Sequence, residues 1–375
     1  MEEIDFKDLS NVSDNKLFEL YSQEQEKSIS GNTNQMALKI LLNSGYGSLS
    51  NAYFQFFDLR LADSITRSGQ CAVKWMERHL NIFLNKYFNT NDEDYVITID
   101  TDSLYLNLQH LIDKIKEKQP NLTNEDCINI LDKFAHEVIE KQIEKGYEEF
   151  YKYTNSFENQ MVMKRECLCS SGVFVAKKRY VLNVFDNEGV RYEKPKLKIK
   201  GLDVVRSSTP AAIKDDIKEV YKILLDKTEG ELQDYIGVVK EKYKKLTLNE
   251  ISIVSSISDI DKYTKDSNVL IPKGCPMHVR GAIIYNKMIK DLKLEGKYQP
   301  IKSGDKIKYV FLQMPNHAFS DVIAYLNYFP EEFELEEYID YDRMFERSFI
   351  GSVENVTDPI KWSWKKKNSI DDLFG

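Results

Sequence analysis

The residues best suited to chemistry lie in the stretch Asp94-Tyr95-Val96-Ile97-Thr98-Ile99-Asp100-Thr101-Asp102-Ser103-Leu104-Tyr105-Leu106. Val96 to Ile99 and Leu104 to Leu106 are largely β-branched or apolar, and the D-T-D-S between them is turn-forming, so the stretch reads as a strand, a tight acidic tip and a return strand. Side chains alternate along an extended chain, which puts Asp100 and Asp102 on one side and Thr101 on the other. Two carboxylates fixed side by side repel each other, and a cation between them relieves the cost. All-oxygen ligands suit Mg²⁺, which takes one or two carboxylates together with substrate phosphates. The same letters also describe a solvated acidic turn, and the stretch alone leaves both readings open.

A second constellation precedes it. Gln35 to Tyr46 has helical periodicity, with Met36, Leu38, Leu41 and Leu42 apolar, and Lys39, Asn43 and Tyr46 fall on one face at spacings of four and three. Gly45-Tyr46-Gly47 closes this helix, where glycine allows close backbone approach. A lysine, an amide and a phenol on one stripe could grip a phosphate, a sugar and a base; an ordinary polar helix face is the competing reading. A third set is basic. Lys177-Lys178-Arg179-Tyr180 leads into the apolar run Val181, Leu182, Val184 and an Asp186-Asn187-Glu188-Gly189 turn, after which Lys194, Lys196, Lys198 and Lys200 alternate with Pro195, Leu197 and Ile199. At strand period this row puts its ammoniums on one face, either to track a polyanion or to guard an edge strand against aggregation.

The elements that must position these groups follow from the pattern around them. Residues 1–13 read as an acidic tail. A helix is expected from Asn15 to Ser28, a break at Ser30-Gly31-Asn32, and a second helix to Tyr46. Residues 51–89 are helix-rich and amphipathic and lead into the acidic hairpin. Residues 104–160 are mostly helix, with a start signal at Thr123-Asn124-Glu125-Asp126. Strand character is expected from Gln160 to Cys169, where Lys164-Arg165-Glu166 falls. Thr209-Pro210 opens a helical region with helices over Ile213–Leu225 and Leu232–Tyr243. Cys275-Pro276-Met277-His278-Val279-Arg280-Gly281 opens another, through Ile289; Ile307–Leu312 reads as a strand and Glu336–Phe349 as a late helix. Lys365-Lys366-Lys367-Asn368 is a basic linker, and beyond it Ile370, Leu373 and Phe374 have the spacing of a short helical turn that docks apolar anchors in a pocket.

Composition bounds the function classes. The chain has 375 residues, 42% of them hydrophobic and 12% aromatic, enough for two or three cores and against disorder. Its formal charge of −8 excludes a generally basic nucleic-acid coat, so any such contact comes from local patches. No secretory leader and no run of 18 apolar residues is visible, which points to a cytoplasmic chain with no membrane partner. Five cysteines without a C-x-x-C argue against a disulfide framework or structural zinc.

Lys39-Ile40-Leu41-Leu42-Asn43-Ser44-Gly45-Tyr46-Gly47 resembles motif B of family B DNA polymerases, K-x-x-x-N-S-x-Y-G, and Asp100-Thr101-Asp102-Ser103 resembles their motif C, D-T-D-S. Order and spacing match as well. The D-L-R, I-T and G-Q phrases between them resemble the T-even phage type of replicative enzyme, whose likeness continues to the last residue. The resemblance implies an α+β fold: a palm with an antiparallel sheet and the D-T-D-S hairpin, partial helical fingers and a mainly helical thumb. It sets residues 1–50 as fingers, 51–205 as palm, 206–360 as thumb and 361–375 as linker and sliding-clamp-binding tail. The implied activity is template-directed nucleotidyl transfer with two Mg²⁺ ions, held here by Asp102 with Asp100 in support. Lys39 would contact the incoming dNTP, with Asn43 and Tyr46 lining the nascent pair and Thr101 and Ser103 beside it. Glu166 would be a further acid near the palm site, although Lys164 stands where related phage enzymes carry an acid. Gly47, Lys177, Lys178, Arg179, Tyr180, Lys196, Lys198, Lys200, His278, Arg280 and Gly281 would meet the primer-template, and Ile370, Leu373 and Phe374 the clamp.

Motif A, D-x-x-S-L-Y-P-S, does not occur in the sequence; Ser103-Leu104-Tyr105 belongs to motif C. In the family that motif, the first fingers helix and the 3′→5′ exonuclease precede the matched region. The expectation is therefore the C-terminal half of a split polymerase, or a longer one cut at that point, whose partner chain supplies those parts in a host cytoplasm if it is phage-encoded. A catalytically inactive DNA- and clamp-tethering module is the competing class, although tethering has no need of D-T-D-S.

Overall fold

The computed structural model describes residues 14–264 and 271–366. Among the described residues helices alternate with three small antiparallel sheets, a mixed α+β architecture. The chain divides into two compact units, Met1–Asn107 with Gln142–Met163, and Leu108–Lys141 with Lys164–Gly375.

The first unit is built on two long helices, α1 (Asp14–Ser48) and α2 (Leu59–Phe88). α1 runs without the break expected at Ser30-Gly31-Asn32: a glycine within a helix costs about 1 kcal/mol relative to alanine, too little to stop one flanked by good helix formers. Side chains from residue 25 to residue 46 are all exposed. α2 instead buries a regular stripe, Ala72, Val73, Met76, Leu80, Leu84 and Phe88, at the three- and four-residue spacing of one helix face. Asp58 caps its start by accepting from the Arg60 N–H at 2.8 Å, and its carboxyl is held down at about 2, chiefly by the Arg60 side chain. Asn89, in the left-handed conformation, ends it. The two-stranded sheet of β1 (Val96–Asp100) and β2 (Ser103–Leu106) comes next. The last part of α5 (Glu140–Thr154) closes on α2 at Gly146, where an added Cβ would lie 2.9 Å from the His79 ring; the Trp75 indole N–H donates to the Gly146 carbonyl at 3.0 Å.

In the second unit, α3 (Gln109–Lys116) and α4 (Asn124–Phe134) precede a π-helical turn, Ala135–Ile139, that leads into α5. Thr123 caps α4 in a reciprocal box with Asp126, as its sequence signal requires. A sheet in the order β3-β4-β5 is made from β3 (Cys167–Ala176), β4 (Arg179–Asn187) and β5 (Val190–Lys200). The strand expected from Gln160 thus starts only at Cys167, because residues 157–166 are irregular. α6 (Ala211–Asp226) and α7 (Glu229–Tyr243) come after it, then α8 (Leu248–Ile251), β6 (Ile253–Ser256), α9 (Met277–Asp291), β7 (Lys306–Phe311) and β8 (Val322–Tyr325). One continuous core joins Val173 and Val181 of the β3-β4-β5 sheet, Ile217 and Tyr221 of α6, Ile283 of α9 and Val310 of β7. The late helix expected over Glu336–Phe349 is broken into a 3-10 turn at Glu336–Tyr338, α10 (Tyr341–Phe345) and a π turn at Glu346–Ile350, before α11 (Gly351–Thr357). The Gln313 N–H donates to the Tyr338 carbonyl and the Asp340 N–H to that of Phe311, so this segment is drawn to the β7 strand rather than wound as one helix.

α9 lies directly on β8 because Gly281 has no side chain: a Cβ there would sit 2.9 Å from the Ala324 nitrogen and 3.1 Å from the Ile323 carbonyl carbon. Neither backbone atom can rotate away, so Gly281→Ala should destabilise this unit by about 1–3 kcal/mol. Thermal unfolding followed by circular dichroism checks this; an unchanged Tm would mean that α9 can move off the sheet at no cost.

Candidate functional site

The acidic hairpin is held from below by α2. Asn81 accepts the Tyr95 N–H through Oδ1 at 2.9 Å and donates to the Asp94 carboxylate at 2.9 Å, while Asn85 donates to the Glu93 carbonyl at 2.7 Å. Tyr95 is buried, its ring 5.5 Å from that of Phe88 and its hydroxyl 2.8 Å from that of Thr90. These contacts fix β1 at its start, and pairing in register, Ile99 with Leu104 and Asp100 with Ser103, carries the order to the tip.

The tip is a two-residue loop, Thr101 and Asp102. Thr101 is left-handed at φ 60°, and the Asp102 N–H donates back to the Asp100 carbonyl at 2.7 Å. The alternation of an extended chain therefore does not apply to Asp100 and Asp102. Asp100 closes β1 and is buried, with 7% of its surface accessible, and its carboxylate accepts the Thr101 hydroxyl at 3.1 Å. Asp102 is exposed, and the Ser103 hydroxyl donates to the Asp100 carbonyl at 3.0 Å. One carboxylate is thus sequestered and one presented. The donors on either side of Thr101 are hard carboxylate oxygens, a chemistry that fits part of a Mg²⁺ site completed by substrate phosphates or other carboxylates. Among the described residues no group of three His, Cys, Asp or Glu could hold an ion on its own.

Tyr147 of α5 is a neighbour that sequence reasoning missed. Its ring is buried, and the acidity of its hydroxyl is weakened by burial first and by the negative charge of Asp102 second. No spacing in the sequence links position 147 to position 102; only the fold does.

Lys39, Asn43 and Tyr46 stand on the last three turns of α1, all exposed, with Gly47 half-buried below them. The loop after α1 is closed by the Asp58 N–H on the Leu49 carbonyl at 3.0 Å.

In the second unit the basic motif divides. Lys177 and Lys178 form the exposed turn between β3 and β4, with Lys178 left-handed at φ 61°. Arg179 is half-buried and Tyr180 buried, its ring 5.5 Å from Phe174. Gly201, at φ 65°, seats against this turn: a Cβ would lie 2.3 Å from the Lys178 carbonyl oxygen. β5 is an edge strand, and Lys196, Lys198 and Lys200 lie opposite Val184, Leu182 and Tyr180, on one face. Lys196 sits 4.2 Å over the Tyr192 ring, and Lys198 pairs with Glu166 at 2.5 Å. Burial pulls the Lys198 ammonium down, but the hydrogen bond to Glu166, together with the charges of Cys167, Glu166 and Tyr180, outweighs it and leaves the group above its ordinary value.

Farther along, Arg280 is tied to Asp321 at 2.6 Å, and Arg343 shares that carboxylate at 2.9 Å. His278 is half-buried and burial lowers its pKa. Gly281 is the contact point of α9 on β8. Ile370, Leu373 and Phe374 lie outside the described residues.

Against this geometry the comparisons are direct. A family model for DNA polymerase family B matches residues 16–360. The chain belongs to DNA polymerase family B. It is 35% identical to the DNA-directed DNA polymerase of Escherichia phage RB69 over 382 residues, covering 98% of this chain and 41% of that protein. The DNA-directed DNA polymerase of Enterobacteria phage T4 is 32% identical over 383 residues, with 98% and 42% covered. More distantly, a DNA polymerase 1 of Pyrococcus abyssi is 27% identical over 217 residues, 58% of this chain and 22% of that one. The family B membership is thus of the T-even phage type, and the chain spans about two fifths of the length of those phage relatives. Among the described residues no helix is long and apolar enough to cross a membrane.

A β-branched residue in the left-handed region costs about 1–2 kcal/mol. Thr101→Gly should therefore keep or slightly raise the stability of the first unit, while Thr101→Val, which keeps the strain and drops the hydroxyl donated to Asp100, should lower it. Chemical denaturation of both variants checks the order; equal midpoints would remove both strain and hydrogen bond from the account.

Proposed function

We propose that this chain is the C-terminal portion of a DNA-directed DNA polymerase: part of the fingers (residues 1–50), most of the palm (51–205), the thumb (206–360) and a clamp-binding tail (361–375). The observation that carries the reading is the D-T-D-S tip, one aspartate sequestered and one presented, inside a family B match that spans residues 16–360.

In the proposed reaction the primer 3′-oxygen attacks the α-phosphorus of a dNTP and pyrophosphate leaves. Two Mg²⁺ ions, when bound, supply charge neutralisation on the triphosphate and activation of the primer hydroxyl. Asp102, exposed at the turn, holds metal directly, and Asp100 supports it from the strand end. Thr101 and Ser103 fix the tip through their hydroxyls and flank the nucleotide. Lys39 meets the triphosphate as a point charge, and Asn43 and Tyr46, one and two turns on, line the nascent pair. Lys177, Lys178 and the β5 lysines hold the primer-template by its phosphates, which positions DNA without reading its sequence, with Arg179 and Tyr180 supporting the basic turn; Gly47 in the first unit and His278, Arg280 and Gly281 in the second are further DNA contacts.

The remaining metal-binding aspartate, the other fingers helix and the exonuclease come from a second polypeptide segment. Support for a covering segment is the surface of α1, where Phe18, Tyr21, Ile29, Met36, Leu38, Ile40, Leu41 and Leu42 are all exposed. A helix apolar on several sides is stable when other elements bury it.

Primer extension with Mg²⁺ and dNTPs tests the reading, using this chain alone and mixed with a polypeptide carrying motif A. Extension only in the mixture is expected. Activity of the chain alone would place the missing carboxylate within it, and silence in both would leave a tethering protein. Within the active mixture, Asp102→Asn should abolish extension, and a near wild-type rate would take Asp102 out of the mechanism. Deleting residues 369–375 should shorten products made with clamp and leave distributive extension intact; loss of basal activity would contradict a docking tail.

A further inference from the structure

The β4–β5 hairpin carries a buried charge cluster for which nucleotidyl transfer has no direct use. Asp186, with 1% of its surface exposed, lies at the end of β4 and accepts the Gly189 N–H at 3.1 Å across the turn. It receives Arg165, from just before β3, and Arg191 of β5 through Nε at 3.1 Å. The same two guanidiniums meet Asp132 of α4, Arg165 at 2.8 Å and Arg191 at 3.3 Å. The Arg165 N–H donates to Glu140 at 3.0 Å. Two aspartates and two arginines thus neutralise each other where a helix, an incoming segment and a hairpin converge.

The cluster sits immediately ahead of an irregularity in β5. Asp186 pairs with Arg191 and Val184 with Lys196, so Phe185 alone faces four residues, Tyr192, Glu193, Lys194 and Pro195. A strand that bulges this far does not carry its register across the irregularity by pairing alone, and a slip of one residue there would turn every later side chain to the other face, against the packing of its apolar set. Here such a slip would replace Lys196, Lys198 and Lys200 with Leu197 and Ile199, which pack against the apolar core.

We propose that Asp186 and Asp132, through Arg165 and Arg191, are positioning residues that pin the register of β5 ahead of its bulge and so set the face on which Lys196, Lys198 and Lys200 meet the DNA backbone. This rests on the proposed DNA contact of β5 and adds to it the device that aims the strand.

The test is the salt dependence of binding to a fluorescein-labelled primer-template duplex, measured by anisotropy with the full chain. Arg191→Gln is the first variant, since Arg191 is partly exposed and Asp186 keeps Arg165 when it is removed; Asp186→Asn is the second. Each should weaken binding several-fold and reduce the slope of log K against log salt by about one for every lysine disengaged. In a chain already carrying Lys196→Gln and Lys200→Gln, Arg191→Gln should add almost nothing, because coupled positions are not additive. An unchanged slope, or fully additive losses, would overturn the positioning role and leave the cluster purely structural. If Lys196→Gln with Lys200→Gln leaves binding unaltered, or the unaltered chain does not bind the duplex, the DNA contact of β5 itself fails, an outcome distinct from failure of the pin alone.

Discussion

The left-handed turn at Thr101 is the constraint on which the acidic hairpin depends. It ends the alternation of β1, leaves Asp100 buried and Asp102 exposed, and is held in layers. A left-handed Thr101 closes the turn, the Asp102 N–H bonds back across it, and Tyr95 and its asparagine partners on α2 lock the strand behind it. The buried stripe from Ala72 to Phe88 in turn makes α2 a rigid support. A tip built this way is set by the fold itself: the burial of Asp100 and the exposure of Asp102 follow from contacts within the unit.

The two units treat charge in opposite ways. In the first, negative groups are gathered and one is left facing solvent. In the second, positive groups are spread along an edge strand while the negative groups near them are consumed in pairs, Glu166 with Lys198 and Asp186 with Arg165 and Arg191. An overall charge of −8 therefore says little about the local field on either surface.

The hairpin, the capping box at Thr123 and Asp126, the helices α6, α7 and α9 and the D-T-D-S and K-x-x-x-N-S-x-Y-G signatures were legible in the sequence, because each is a local pattern of period or spacing. The features that were not legible are long-range. Gly31 looked like a stop, yet its neighbours carry the helix through it. Alternation placed Asp100 and Asp102 on one side, but a single left-handed residue between them voids the rule. Segment 336–350 has helical letters, and hydrogen bonds to β7 divide it. Tyr147 beside Asp102, and the meeting of Asp132 with Asp186 and Arg191, join positions separated by tens of residues, which no periodicity can register. Arg280 and Gly281 stood out in the sequence, and the fold adds to each a structural part that no local pattern announces, one as a partner for Asp321 and the other as a gap beneath α9.

The bare flank of α1 has a consequence for how much of this chain a cell can keep. Side chains stay exposed along its length from residue 25 to residue 46, several of them large and apolar, and such a surface is sticky to chaperones, proteases and other copies alike. By mass action, whatever packs over the helix, whether another stretch of the same polypeptide or a separate one, would remove that surface from all three at once.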